Sequence, residues 1–259
     1  SSHTTVDASQ IHALPVESVT GILKTQAGII EDAGGALHFR GGRADEVSYT
    51  VNGVSVNDPF TNSNSLSIAT NAIQELSVVQ GTFNAEYGNA LSGVVETGLK
   101  EGGEHYAGQI SVYTGDRVSN HDNVFLNVKS IDPFSHVVTE GTFGGPLPGT
   151  NGALSFFLSA RSDNSKGWLY GVREHTVADR PDFSNDTNWV IPMTGDKSIV
   201  PLNKSNSYTA TNRLSYRLSP TMKIGYVFIF NQARYRDYSH AYKYNPDGTY
   251  NNYENDVLH

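Results

Sequence analysis

The sequence contains no cysteine, which excludes a disulfide framework, thiol catalysis and any cysteine-ligated metal site. Long apolar runs are also missing. The longest, Tyr-Val-Phe-Ile-Phe at 226–230, has five residues, whereas a membrane-spanning helix needs roughly 20. Charged residues make up only 17% of the chain and the net charge is −8, the wrong sign for a nucleic-acid surface, so no nucleic-acid partner is expected. The nine histidines form no H-x-x-x-H pair, and the acidic residues are scattered rather than focused, so neither a zinc site nor a glycosidase pair is indicated. The stretch NPDGTYNNYEND at 245–256 lacks the ligand order of a calcium loop. No catalytic residue, metal or cofactor is assigned, and the chain is not read as an enzyme. There is no basic segment followed by an apolar one at the start, so a signal peptide is read as removed or lying outside this sequence.

Glycine is plentiful. Residues 81–103, GTFNAEYGNALSGVVETGLKEGG, follow the apolar run IQELSVV and raise the possibility of a phosphate cradle. Such a loop needs G-x-x-x-x-G-K-[ST], but Gly88 to Gly93 is followed by Val94 and Val95. The glycines are instead read as permitting tight, crowded turns. With 37% hydrophobic residues and many Gly, Asn, Ser and Tyr, the 259-residue chain has a β-rich composition and can bury a sizeable core.

The first hundred residues read as a small α/β unit. Val16, Val19, Ile22 and Leu23 recur at helical spacing between Pro15 and Gly28, predicting a helix over about 15–26. EVSYTVNGVSV carries strand residues on both sides of Asn52-Gly53, a hairpin signal because both turn positions require positive φ. Further strands are expected at 73–81 and 93–100. Beyond about residue 104 the pattern changes to long alternating segments at 105–115, 136–145, 153–162, 207–220 and 222–236. In the fourth, Tyr208, Ala210, Leu214, Tyr216 and Leu218 oppose Thr209, Thr211, Arg213, Ser215 and Arg217. Strands of about ten residues cross a bilayer at a tilt. Their connections alternate between long (116–136, 164–206) and short (PLPGTNG, and the turn around Pro220). A membrane barrel has that asymmetry between its two rims; a soluble sandwich can alternate just as well but has no reason to keep every second connection short.

Three N-terminal motifs occur in a telling order: LPVESVTGILKTQAGI, FRGGRADEVSYTVNGVSVNDPF and IQELSVVQGTFNAEYGNALSGVVETGLKEGG. They resemble the plug domain of TonB-dependent outer-membrane receptors. Less specifically, YTGD, GTFGGPLPGTNGALSFFLSAR and GWLYG are similar to the first barrel hairpins of receptors of the Bacteroidetes type. The fold implied is an α/β plug domain followed by antiparallel transmembrane β-barrel strands. Its divisions are an N-terminal segment at 1–11, the plug at 12–103 and the first part of the barrel at 104–259. The chain departs from the family pattern at Glu96 and Gly98 of the closing strand, where a bulge or early turn is expected. TTVDA at 4–8 is too short to be read as a TonB box, and the run typical of glycan importers is absent. The family barrel has about 22 strands, and this chain supplies five or six of them, so it is read as part of a longer protein.

The resemblance implies a ligand-gated importer of the bacterial outer membrane, driven by the inner-membrane TonB complex through the plug's N-terminal segment. Its cargo would be a nutrient too large for porins. Outer-membrane lipids are an implied partner, as is a surface lipoprotein. Alternatives are a surface-binding or signalling receptor with little transport, and a β-rich adhesin. Implied ligand contacts are Asn57, Asp58, Phe60, Asn62 and Asn64 of the plug's apical loop and Trp168, Tyr170, Trp189, Tyr238 and Tyr242 of the barrel loops. Aromatic faces beside amides suit sugars or peptides. Arg40, Arg43, Glu75 and Glu86 are expected where plug meets wall, Arg40 and Glu75 as ion pairs holding the plug.

Overall fold

A computed structural model describes residues 2–14, 16, 18–33, 35–81, 90–121, 124–185, 187–236, 243–245 and 254–258. The chain begins with β1 (Ser2–Asp7) and α1 (Ala8–Ala13). Asp7 caps that helix by accepting from the backbone N–H groups of Ser9 and Gln10, while the Gln10 side chain returns a bond to the Asp7 N–H. Next comes α2 (Val19–Lys24), shorter than the expected 15–26 helix. Ser18 starts it, because its extended backbone lets the hydroxyl accept from Gly21 N–H at 3.0 Å. Pro15 lies outside the described residues.

Two short strands, β2 (Ile29–Glu31) and β3 (Leu37–Phe39), pair with each other. The hairpin of β4 (Val47–Val51) and β5 (Val54–Ser55) turns at Asn52 and Gly53, with φ of 47° and 81°. Both positions are left-handed, as the Asn-Gly pair predicts. β6 (Ile73–Gln80) and β7 (Gly93–Leu99) complete a five-stranded sheet in the order β1-β6-β7-β4-β5. The first residues, expected only to lead into this unit, therefore form its outermost strand. β7 does not turn early. The irregularity falls on β6 between Ile73 and Glu75, where Gly98 of β7 leaves room for the Glu75 side chain. Gly93 is crowded, since a Cβ there would lie 2.6 Å from the Phe39 ring. Ile22, Leu23, Phe39, Val47, Ile73, Leu76, Val78 and Val95 form a conventional apolar core between helices and sheet.

The second sheet runs in sequence order: β8 (Ala107–Gly115), β9 (His136–Pro146), β10 (Leu154–Ser165), β13 (Ser205–Ser219), β14 (Met222–Arg236) and β15 (Glu254–Leu258), each pair antiparallel. The small strands β11 (Tyr170–Val172) and β12 (Ile199–Pro201) pair within the long connection between β10 and β13. β13 and β14 have 15 residues each, close to the expected segments 207–220 and 222–236, and longer than a ten-residue bilayer crossing because both continue past the apolar band into polar segments. The short connections, 147–153 and Pro220-Thr221, lie at one end of the sheet, and the long ones at the other.

The burial of this sheet is inverted relative to a soluble protein. Ile110, Val112, Leu158, Tyr208, Tyr216, Leu218, Met222, Ile224, Tyr226 and Phe228 are exposed, Ile110 to 82%. Ser159, Thr209, Thr211, Ser215, Asn231 and Glu140, on the opposite face, are buried. A sandwich would turn the first set inward; a barrel wall turns it to lipid and its polar face to the lumen. Among the described residues no helix is long and apolar enough to cross a membrane.

Candidate functional site: the lumen between the two sheets

The N-terminal unit sits against the polar face of the wall, and the contact is built from single side chains. Phe157 belongs by alternation to the polar parity of β10, yet it is buried as a member of the N-terminal unit's core. One position along on the same face, Ser159 Oγ donates to Asn71 Oδ1 at 2.9 Å, both residues being buried. Beyond it, Arg161 Nη1 pairs with Glu140 at 3.0 Å and Arg161 Nη2 with Asp163 at 3.3 Å. Tyr113 donates to Glu140 at 2.6 Å, and His136 bonds Asp163 at 2.9 Å. Burial lowers the pKa of Lys100, just past β7, and the nearby Glu140 charge partly offsets this. At the short-turn end, Glu101 accepts from both Arg213 and Lys223 of the wall, and Arg213 also donates to the Leu99 carbonyl. These contacts tie the segment joining the two sheets to β13 and β14.

The opposite end forms a vestibule. Asn57 is committed within its own loop: Oδ1 accepts from Tyr49 N–H at 2.7 Å, and Nδ2 donates to the Val47 and Asn62 carbonyls at 2.8 and 2.9 Å. Asp58 accepts from the Phe60 and Thr61 N–H groups at 2.9 and 2.8 Å. Asn62 takes a positive φ of 53° and donates to the Asp45 carbonyl, while Asn64 accepts from Leu66 N–H at 3.2 Å. Phe60 stands out from this turn at 95% exposure. At the long-connection end of the wall, a polar cavity of about 470 Å³ is bounded by Asp116, His136, Asp163, Trp168 and Asn203. The Trp168 ring is 5.5 Å from the tilted Phe125 ring, and the Arg117 guanidinium stands over it at 5.5 Å. Its loop is fixed by Asn203 Oδ1, which accepts from the Trp168 and Leu169 N–H groups. Tyr170 is half-buried, and burial raises its pKa. Trp189 is exposed, edge-on to Phe183 at 5.5 Å. The hydrogen bond from Lys166 holds the Asp132 carboxyl below its ordinary range, and Thr194 holds that of Asp179 at about 2.

The sequence pattern described as TonB-dependent Receptor Plug Domain matches residues 1–94. Residues 1–94 therefore carry a TonB-dependent receptor plug domain. Solved structures agree on the fold. The siderophore receptor PirA from Pseudomonas aeruginosa is 16% identical with a TM-score of 0.58, over 90% of this chain and 36% of its own. The outer membrane transporter YddB from Escherichia coli is 12% identical with a TM-score of 0.62, over 92% of this chain and 33% of its own. The ferripyoverdine receptor of Pseudomonas aeruginosa is 11% identical with a TM-score of 0.59, over 90% and 25%. The chain thus spans about a third or less of these receptors. No curated protein matches it by sequence. Plug and inverted wall together belong in the bacterial outer membrane.

The residues expected to hold the plug are placed differently from the contacts that reach the wall. Arg40 bonds Gln80 at 3.2 Å and Ser2 at 2.7 Å, tying β3 to β6 and β1 inside the plug. Arg43 pairs with the neighbouring Asp45 at 2.9 Å on the surface, and Glu75 is exposed on β6. Arg40 and Glu75 are not brought together. Glu86, Tyr238 and Tyr242 lie outside the described residues. Sequence reasoning missed Glu101, Arg213, Lys223, Asn71, Ser159 and Phe157 as plug-to-wall contacts. Phe157 did leave a signal, as the one aromatic residue among the serines of its parity.

Proposed function

We propose that the chain is the N-terminal part of an energy-coupled, ligand-gated importer, its plug occluding the lumen until the TonB complex pulls on it. The reading is carried by one observation: the wall buries its polar face on the plug and leaves its apolar face outward, so the plug fills the space a solute would cross. Phe60 on its self-satisfied turn, with Trp168, Tyr170 and Trp189 at the rim, forms the ligand-contacting set, and their aromatic faces suit a sugar or peptide too large for porins. The plug is held by Glu101 with Arg213 and Lys223, by Asn71 with Ser159, and by Phe157. Transport, not a chemical reaction, is the activity proposed. In cells carrying the full-length receptor, uptake of labelled oligosaccharides, peptides and ferric siderophores should require both TonB and the proton gradient. Binding without uptake across that panel would point to a surface receptor instead.

A further inference from the structure

Of the cavities between plug and wall, one is set apart by its unpaired groups. Between Gln74 and Lys100 and the wall residues Gln109 and Thr142 lies a space of about 310 Å³, and no buried polar side-chain atom lacking a partner lines it. Another, of about 360 Å³ between Asn64 to Ile68 and the wall residues Thr209 and Asn231, has one such atom, Asn231 Nδ2. A third, of about 650 Å³ between the β4–β5 hairpin and β13–β14, has two: Asn52 Nδ2 and Arg213 Nε. Both side chains are anchored on the same residue. Asn52 Oδ1 accepts from Leu99 N–H at 3.0 Å, and Arg213 Nη1 donates to the Leu99 carbonyl. That shared anchor brings two spare N–H donors to one end of a single chamber.

The rest of this chamber is largely aliphatic: Val51, Val56 and Leu66 on the plug side, Val227 and Ile229 on the wall. Val227 and Ile229 are exceptions on β14, where Lys223, Gly225 and Asn231 share their parity. The charge beside the donors is positive, because Glu101 is shared by Arg213 and Lys223, one carboxylate against two cations. Donors left unpaired in a buried place cost stability until an acceptor reaches them. A hydrocarbon would leave both unmet, an amine would be repelled, and a wholly polar solute would waste the aliphatic walls. A carboxylate accepts from both in a charge-assisted pair, and an alkyl body covers the valines and isoleucine.

We propose that the chamber at Asn52 and Arg213 is a binding site for a small alkyl carboxylate, which bridges the plug hairpin and the barrel wall. Binding here is independent of whether the receptor imports anything. The test uses the full-length receptor in nanodiscs, with radiolabelled octanoate as the probe and equilibrium dialysis as the readout, empty nanodiscs being subtracted. Octanoate should occupy a single saturable site, and octanol or octylamine should compete about tenfold more weakly or worse, since each loses the charge-assisted bonds. Asn52→Asp keeps the oxygen that accepts from Leu99 but puts a carboxylate oxygen where the donor was, and should weaken octanoate by about tenfold or more. Val227→Trp fills the chamber from the wall side and should abolish binding. Both variants are first matched to the parent in heat-modifiable gel mobility, so that lost binding is not lost folding; if Val227→Trp fails that match, Asn52→Asp decides. No saturable binding above empty nanodiscs, octanol competing as well as octanoate, or parent-like binding by folded Asn52→Asp overturns the site.

Discussion

Ser159 of the barrel wall donates a 2.9 Å hydrogen bond to Asn71 of the plug, and both residues are buried. The bond joins two units whose surroundings obey opposite rules, so it is sensitive to loss from either side. Ser159→Val leaves the Asn71 carbonyl unpaired and should lower the stability of the detergent-solubilised protein by about 1–3 kcal/mol. The double variant Ser159→Val with Asn71→Leu should recover much of that loss. A melting point for Ser159→Val equal to the parent would show that the bond carries no weight.

Neighbouring residues of β10 should respond in opposite ways. Phe157→Ala empties a position in the plug core and is expected to cost about 3–5 kcal/mol, read by thermal unfolding. Leu158→Ala, on the exposed apolar face, should change little. Leu158→Arg should impair assembly, at about 2–4 kcal/mol near the bilayer midplane, read as the folded fraction on a heat-modifiability gel. Equal effects of Phe157→Ala and Leu158→Ala would contradict the assignment of the two faces.

The joint between plug and wall depends on charge. Glu101→Gln weakens charge-assisted bonds to both Arg213 and Lys223, each bond to a charged group contributing about 1.5–3 kcal/mol when shielded and less here because Lys223 and Glu101 are partly exposed. Cleavage within 100–106 by added protease should accelerate, and high salt should produce the same change in the parent. Unchanged cleavage would remove Glu101 from the set that holds the plug.

His38 gives the plug a pH dependence. Its pKa is raised first by the hydrogen bond with Asp32 and then by the Gly42 carbonyl. A raised folded value means that this contribution is fully present below the ordinary histidine pKa and is lost as pH rises through the folded one. Residues 32–42 should therefore be better protected from hydrogen exchange at pH 5.5 than at pH 8, after correction for the intrinsic exchange rate, and His38→Gln should abolish the difference. Asp179 works in the other direction: its turn is stabilised above the ordinary aspartate pKa and loses that support as pH falls toward about 2.

Gly93 is a steric test. Gly93→Ala pushes a methyl group into the Phe39 ring and should destabilise the protein by about 1–3 kcal/mol. Phe39→Leu in the same chain should relieve part of the strain. If the single variant were as stable as the parent, the crowding would be unimportant.

Elements with a local cause were legible in the sequence. Asn52-Gly53 announced its hairpin because the turn itself demands those residues, and the wall strands were visible because each carries its own alternation. What packs against a face was not legible. The alternation of β10 separates Ser159 from Leu158, but nothing local says that Asn71 lies opposite. The apical loop was misleading in a different way. Asn57, Asp58 and Asn62 look like ligand groups, yet short polar side chains in turns satisfy nearby backbone groups first, which leaves Phe60 free. The start of the chain does carry a local signal, in the capping-box spacing of Asp7 and Gln10.

The placement of Phe157 makes the plug's core depend on the wall. The plug is held by a core that water drives together, whereas the wall is complete only where lipid takes the place of water on its apolar side. Phe157 is covalently part of the wall and energetically part of the plug's interior. That part of the plug's interior is therefore complete only where the wall is in place.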